Sequence, residues 1–216
     1  MAQQAETHVF RGRTEAVPAH RHPNGKGWVA DTATVGPNCY VGSEAEVCDQ
    51  AMVEGRAMVE GIARVRGGAC VGGGAVIEGG AGIEGGAQVE GRARVEGMAR
   101  VGGGAMVWGD DQIRGDAVIR GQAVVGGEAR IMGLATIQDP EDCLVLGPIG
   151  SRGWYLSVYR TKNGLWATAG CYSGSLKNFL AKVKRHHGSS PNGLAYREAI
   201  RFARKLFEIR RQNPKL

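Results

Sequence analysis

The sequence predicts a mainly β protein, a parallel β-helix over residues 33–140 followed by a small α+β domain over residues 141–216. Three observations carry this expectation: a strict six-residue repeat, an excess of glycine, and a sharp division of charge along the chain. From Ala33 the chain reads A-T-V-G-P-N, C-Y-V-G-S-E, A-E-V-C-D-Q, A-M-V-E-G-R, and continues to A-T-I-Q-D-P at Pro140, eighteen hexapeptides without a phase slip. So constant a period is the signature of a solenoid that stacks one structural unit. The 36 glycines among 216 residues far exceed an average usage of about 7 %, and no Gly-X-Y register points to collagen.

Each hexapeptide presents a small residue, an outward residue, a Val or Ile, a second outward residue, and then usually Gly. The small and the β-branched positions are two apart, so in an extended strand both side chains point to one face and form the core. Glycine is expected at the corner, where φ > 0 costs little without a Cβ. Cys39 occupies an inward small position and reads as core, whereas Cys48 and Cys70 read as outward. Five cysteines without a CxxC pair form neither a disulfide framework nor a zinc pattern, and reduced thiols are expected.

The spacing resembles the hexapeptide-repeat family, whose pattern is met by Val35-Gly36 followed by Cys39 and by Val41-Gly42 followed by Ala45. The resemblance covers about half the chain and implies a left-handed parallel β-helix with three hexapeptides per triangular coil. Eighteen hexapeptides then give about six coils, and at about 4.8 Å per coil a rod roughly 29 Å long. A right-handed β-helix of the bacterial cytoskeletal type is the competing architecture, with less strict repeats.

A solenoid must cover both ends. Residues 1–32 are assigned as an N-terminal cap, with Val9, Phe10, Val17 and Trp28 as its bulky apolar groups. At the other end Cys143-Leu144-Val145-Leu146 leads into the basic domain. Two strands are expected there, Trp154 to Thr161 and Leu165 to Cys171, joined by an Asn163-Gly164 turn. Helices follow at Ser175 to His187, with Ser175 as N-cap, and at about Leu194 to Arg211.

Many hexapeptide-repeat proteins are acyltransferases in which a histidine serves as general base. Here no histidine lies between His22 and His186 and no loop interrupts the repeats. No catalytic residue is therefore assigned. No metal site and no cofactor are assigned either, since the His20-x-His22 pair lacks a third ligand nearby and reads as an exposed turn. The first thirty residues are polar without an apolar h-region, and no stretch approaches a membrane span. The expected location is the cytoplasm.

Sorting outward residues by every third hexapeptide gives two sticky faces and one polar face. Met52, Met58, Ile62, Met98, Met106, Trp108 and Met132 are the candidate oligomer interface, and the family's habit implies a homotrimer. Glu60, Glu78 and Glu96 stack one coil apart, with Arg114 next in the column and Arg94 beside it as a counter-charge.

Residues 141–216 hold 14 Lys and Arg against 4 Asp and Glu, a balance of +10, whereas residues 1–140 hold 13 against 17. Such a domain attracts nucleotides, nucleic acid or another polyanion. Ser151 and Arg152, in the turn G-P-I-G-S-R-G at Gly147 to Gly153, are candidate anion ligands, as are Arg160 and, on one side of the last helix, Arg197, Arg201 and Arg204. A solvated charged face competes with this reading. The apolar half of that helix, which includes Tyr196, Ile200, Phe202, Phe207 and Ile209, is expected to pack on the sheet.

The segments G-P-I-G-S-R-G-W-Y-L-S-V-Y-R-T-K-N-G and G-C-Y-S-G-S-L-K-N-F (170–179) resemble a small domain of phage and prophage proteins. The opening G-K-G-W-V-A-D-T-A (25–33) resembles the entry to phage-encoded hexapeptide repeats. The sequence is thus expected to encode a non-catalytic, oligomeric phage-type binding protein. Its rod presents a basic domain to a nucleotide signal or nucleic-acid complex, with host-defence antagonism as one role, and a phage-encoded chain acts in the host cytoplasm. The alternative is a structural virion or assembly scaffold, and acyl transfer is the least favoured reading.

Overall fold

A computed structural model describes residues 6–213. The first five residues of the expected cap and the last three of the basic domain lie outside the described residues. Three strands open the chain, β1 (Thr7–His8), β2 (Val17–Arg21) and β3 (Trp28–Ala30), and eighteen two-residue strands follow, from β4 (Thr34–Val35) to β21 (Thr136–Ile137). Each hexapeptide contributes one of these strands. Residue i pairs in parallel with residue i + 18, as in Val53↔Val71 and Cys70↔Gln88. Three hexapeptides therefore close one coil, and the result is a three-sided parallel β-helix of about six coils. Two of its sheets have six strands, and the third gains β1, β2 and β3 to reach nine.

The core is a ladder of alanines alternating with Val or Ile, nearly all without exposed surface. Corners explain the glycine: every sixth residue from Gly55 to Gly133 has φ between +61° and +84°. Each corner also stacks on the next, so that a Cβ on Gly73 would stand 2.7 Å from the Gly91 carbonyl oxygen. The inward small position departs from alanine or cysteine once, at Asp111, which is fully buried. The repeat read as uniformly small at that position is thus broken by a carboxyl group, whose Oδ1 accepts from the Ala129 N–H at 2.7 Å while Oδ2 has no partner. Burial pushes this acid up to about 7, helped by Asp110 and Glu128.

At the N-terminal end β2 and β3 run antiparallel, and β3 then joins the coil in parallel, so the sheet edge is extended and closed. Phe10 is buried against Ala19, Ala30 and Cys48. Cys48 leaves the coil outward as expected, but the cap covers it, and burial raises its thiol to about 11. Val9, by contrast, is exposed. The His20-x-His22 pair is not an exposed turn: His22 is buried with Nδ1 at 3.0 Å from the Asn24 carbonyl, and His20 meets Asp31 at 2.8 Å.

Beyond the last coil, β22 (Cys143–Ile149), β23 (Trp154–Thr161), β24 (Gly164–Ala169) and β25 (Tyr172–Ser175) form an antiparallel sheet in sequence order. The expected pair of strands thus gains one on each side. Thr161 pairs with Gly164, so the hairpin turns on Lys162-Asn163, one residue earlier than the Asn-Gly signal suggests. Helix α1 (Leu176–His187) starts at the expected Ser175 cap. Helix α2 (Pro191–Gln212) starts three residues before the expected Leu194, because Ser190 caps it and Pro191 occupies the first turn.

One face of this sheet buries Leu156, Val158 and Ala167 under both helices. The other seals the rod. A last coil leaves N–H groups aimed at a coil that does not exist, and buried groups of this kind need partners. Ser157 Oγ accepts from Arg130 N at 2.9 Å and Tyr159 Oη from Met132 N at 3.1 Å. Tyr159 is itself fully buried and bonded to Thr168 at 2.8 Å.

Candidate functional site

Unpaired cations gather beside concave surface between the Gly150–Gly153 turn, the start of β25 and the last turns of α1. A cavity of about 640 Å³ there is lined by Ser151, Arg152, Trp154, Ala169, Cys171, Tyr172, Phe179, Lys182, Val183, Arg185, His186, His187 and Tyr196. No carboxylate is among these residues. A cavity of about 680 Å³ at the N-terminal cap differs, since its one cation, Arg13, is ion-paired with Asp49 and Asp31 adds a further acid.

Aromatic rings form one wall. Tyr172 meets Phe179 at 5.1 Å, Phe179 meets Tyr196 edge-on at 5.5 Å, and Tyr196 meets His187 at 5.7 Å. Both tyrosine hydroxyls donate to backbone carbonyls, Tyr172 to Ser175 at 3.1 Å and Tyr196 to Ile149 at 3.5 Å, which fixes the rings. Burial raises both phenols, so the wall stays neutral at physiological pH. The Trp154 ring packs against the chain at Gly170, where any Cβ would overlap it. Arg152 stands 5.2 Å from that ring's centroid, and Lys182 stands 5.3 Å from the Tyr172 ring. Arg185 donates to His186 Nε2 at 3.2 Å.

Of the six residues assigned from sequence to anion binding, only Ser151 and Arg152 line this cavity. Arg160 is ion-paired with Asp142 at 2.6 Å and lies 5.3 Å over Phe207, so it joins the sheet to the rod's end. Arg197 is half-buried and donates to the Gly188 carbonyl at 2.6 Å, closing the α1–α2 corner. It does not simply face water. Arg201 pairs with Glu198 one turn away, and Arg204 is exposed. The helical wheel thus gathered cations by direction from one axis, while the cavity gathers them from a turn and a different helix. Lys182, Arg185 and His186 were missed, although their i, i+3, i+4 spacing marks one helix face.

The rod's outward residues are mostly where the repeat puts them. Met52, Met58, Ile62, Met98, Met106 and Trp108 are between 37 % and 52 % exposed. Met132 is only half-buried surface, beside the seal made by Tyr159. The stripes are interrupted: Gln88 lies between Cys70 and Met106, and Arg94 follows Val76. Two of the column's three acids are neutralised within the chain, because Arg94 bonds Glu78 at 2.8 Å and Glu96 at 3.1 Å, and Arg114 bonds Glu96 at 3.1 Å.

Among the described residues no group of three or more His, Cys, Asp or Glu is placed to hold a metal ion. No helix among them is long and apolar enough to cross a membrane. No family model matches the chain, and no curated protein or solved structure matches it.

Proposed function

We propose that this chain is a non-catalytic, oligomeric binding protein whose β-helix is a scaffold and whose C-terminal domain takes an anionic ligand. The observation that carries the reading is the 640 Å³ cavity with Arg152, Lys182 and Arg185 at its rim and no lining carboxylate. Cations left unpaired beside concave surface attract anions, whereas on the rod Arg66, Arg92, Arg94 and Arg114 are paired with carboxylates. The unbroken hexapeptide period supports kinship with hexapeptide-repeat proteins. The segments at 25–33, 147–164 and 170–179 support a phage or prophage source, with action in the host cytoplasm against a nucleotide defence signal. Acyl transfer is disfavoured by the lack of any histidine between His22 and His186.

Assembly as a homotrimer is supported by the exposed Met52, Met58, Ile62, Met98, Met106 and Trp108. Light scattering on the full chain at micromolar concentration tests it: three chains are expected and Trp108→Glu weakens assembly, whereas a monomer removes the interface. Calorimetry with inorganic pyrophosphate tests the anion reading, and absence of binding to the full chain at low salt contradicts it. A second reading, a virion or assembly scaffold, draws on Leu194, Phe202 and Ile209. These stay exposed on α2 rather than packing on the sheet, as the helical wheel had placed the latter two, and offer a docking strip. Co-sedimentation with phage particles tests that role.

A further inference from the structure

The cavity has two chemically distinct halves that a bare anion would leave half used. One is the ring wall of Tyr172 and Tyr196 with Trp154 beside it, neutral and fixed by backbone hydrogen bonds and by the chain at Gly170. The other is cationic: Arg152 from the turn, with Lys182 and Arg185 from α1. The C-terminal pole of α1 contributes roughly half a negative charge. Three full cations outweigh it, so the local field still favours an anion. Arg152 and Lys182 stand 5.2 and 5.3 Å from the centroids of the Trp154 and Tyr172 rings, so a planar group that displaces them from the ring faces has its own negative charge beside these cations. At about 640 Å³ the space is within the range of about 300–1,000 Å³ usual for small-molecule sites and suits one nucleotide unit.

Resting on the reading that this domain binds an anion, we propose that the cavity is a nucleoside-monophosphate site. The base stacks on Trp154, Tyr172 and Tyr196, and the phosphate is held by Arg152, Lys182 and Arg185. Stacking on aromatic rings accepts any base because each has a π face, and an arginine fork suits phosphate oxygens in a bidentate contact. Both halves are needed for full affinity.

The test is calorimetric titration of the full chain with AMP, UMP, adenosine and inorganic phosphate. AMP and UMP are expected to bind at least on the order of tenfold more tightly than adenosine or phosphate alone. Lys182→Ala and Arg185→Ala, both at exposed positions, each weaken AMP on the order of tenfold and leave the melting temperature unchanged. Trp154→Leu weakens AMP but not phosphate. Phosphate binding that is lost in Lys182→Ala while AMP holds no advantage overturns the nucleotide site and leaves the anion reading standing. Variants that bind AMP like the parent chain also overturn it, and failure of every anion to bind the parent chain overturns both.

Discussion

The rod and the C-terminal domain arrange charge differently. On the rod, several arginines meet carboxylates: Arg92 bonds Asp110 at 2.7 Å and Arg66 bonds Glu84 at 3.0 Å, each one coil away, and Arg94 bridges Glu78 and Glu96, while among the described residues Arg64 and Arg100 stand without an acid partner. A parallel repeat places side chains in columns about 4.8 Å apart, so each charge finds or lacks a counter-charge by register alone. In the domain, Arg152 from the Gly150–Gly153 turn and Lys182 and Arg185 from α1 converge on a cavity whose lining has no carboxylate. Under the proposed function, the convergent unpaired charge beside fixed rings is the surface offered to a ligand.

The two regions are joined by Tyr159, and removing it should have the largest effect on stability. Tyr159→Ala is expected to cost about 3–5 kcal/mol, as for other large aromatic truncations in cores, read as a fall in the denaturant midpoint. Tyr159→Phe keeps the ring and leaves Met132 N–H without its partner, at about 1–3 kcal/mol. If Tyr159→Ala unfolds at the parent midpoint, the sheet does not seal the rod.

Asp111 sets the next effect. Its folded value is raised from 3.8 to about 7, so between those pH values the folded chain keeps a proton that the unfolded chain releases. Stability therefore falls as pH rises through this window, by up to about 4 kcal/mol, and the loss is complete above it. Asp111→Ala restores the residue found at this position in most other hexapeptides and gives up one hydrogen bond to Ala129, worth about 1 kcal/mol. It is expected to gain roughly 3 kcal/mol at pH 8 and to lose about 1 kcal/mol at pH 4, where only the hydrogen bond is given up. A parent chain whose melting temperature is flat from pH 4 to 8 contradicts the buried acid's role.

Corner glycines separate the two regions again. Gly73→Ala meets both φ of +66° and the Gly91 carbonyl at 2.7 Å, whereas Gly164 at φ +104° faces open space. The first should cost more than the roughly 1–2 kcal/mol of left-handed strain, and the second should stay near it. Equal losses in thermal melts would show that stacking at the corners is loose. Smallest of all, Arg94→Ala should change stability by less than about 1 kcal/mol, because exposed ion pairs are screened. A larger fall in chemical denaturation would mean that the Glu78 and Glu96 column is strained without it.

What was legible in the sequence follows the same division. The rod's strands, core and corners repeat every six residues, so pattern alone located them, and even the Arg94 counter-charge could be named. Asp111 was hidden by that regularity, since a repeat read as a consensus conceals the one position that breaks it. The outward direction of Cys48 was legible, but its burial was not, because its cover, Phe10, comes from outside the repeat. In the domain, local signals such as the Ser175 cap survived, but β22 pairs with β23 on both sides of a register shift that no short motif encodes. The cavity assembles residues from Ser151 to Tyr196, and only tertiary packing brings them together. Arg160 and Arg197 were read as ligands because a cation's partners, here Asp142 and the Gly188 carbonyl, are invisible along one strand or helix.

The central claim is that the anion site belongs to the domain and not to the rod, and one comparison tests it most directly. Calorimetric titration with inorganic pyrophosphate at low salt is run on the parent chain, on Lys182→Ala/Arg185→Ala, and on the rod pair Arg66→Ala/Arg92→Ala. Each double variant removes two positive charges, so net charge is matched. The domain pair is expected to lose on the order of a hundredfold in affinity, about tenfold for each lost charge-assisted contact, while the rod pair binds like the parent. Equal losses in the two variants, or none in the domain pair, would contradict the account.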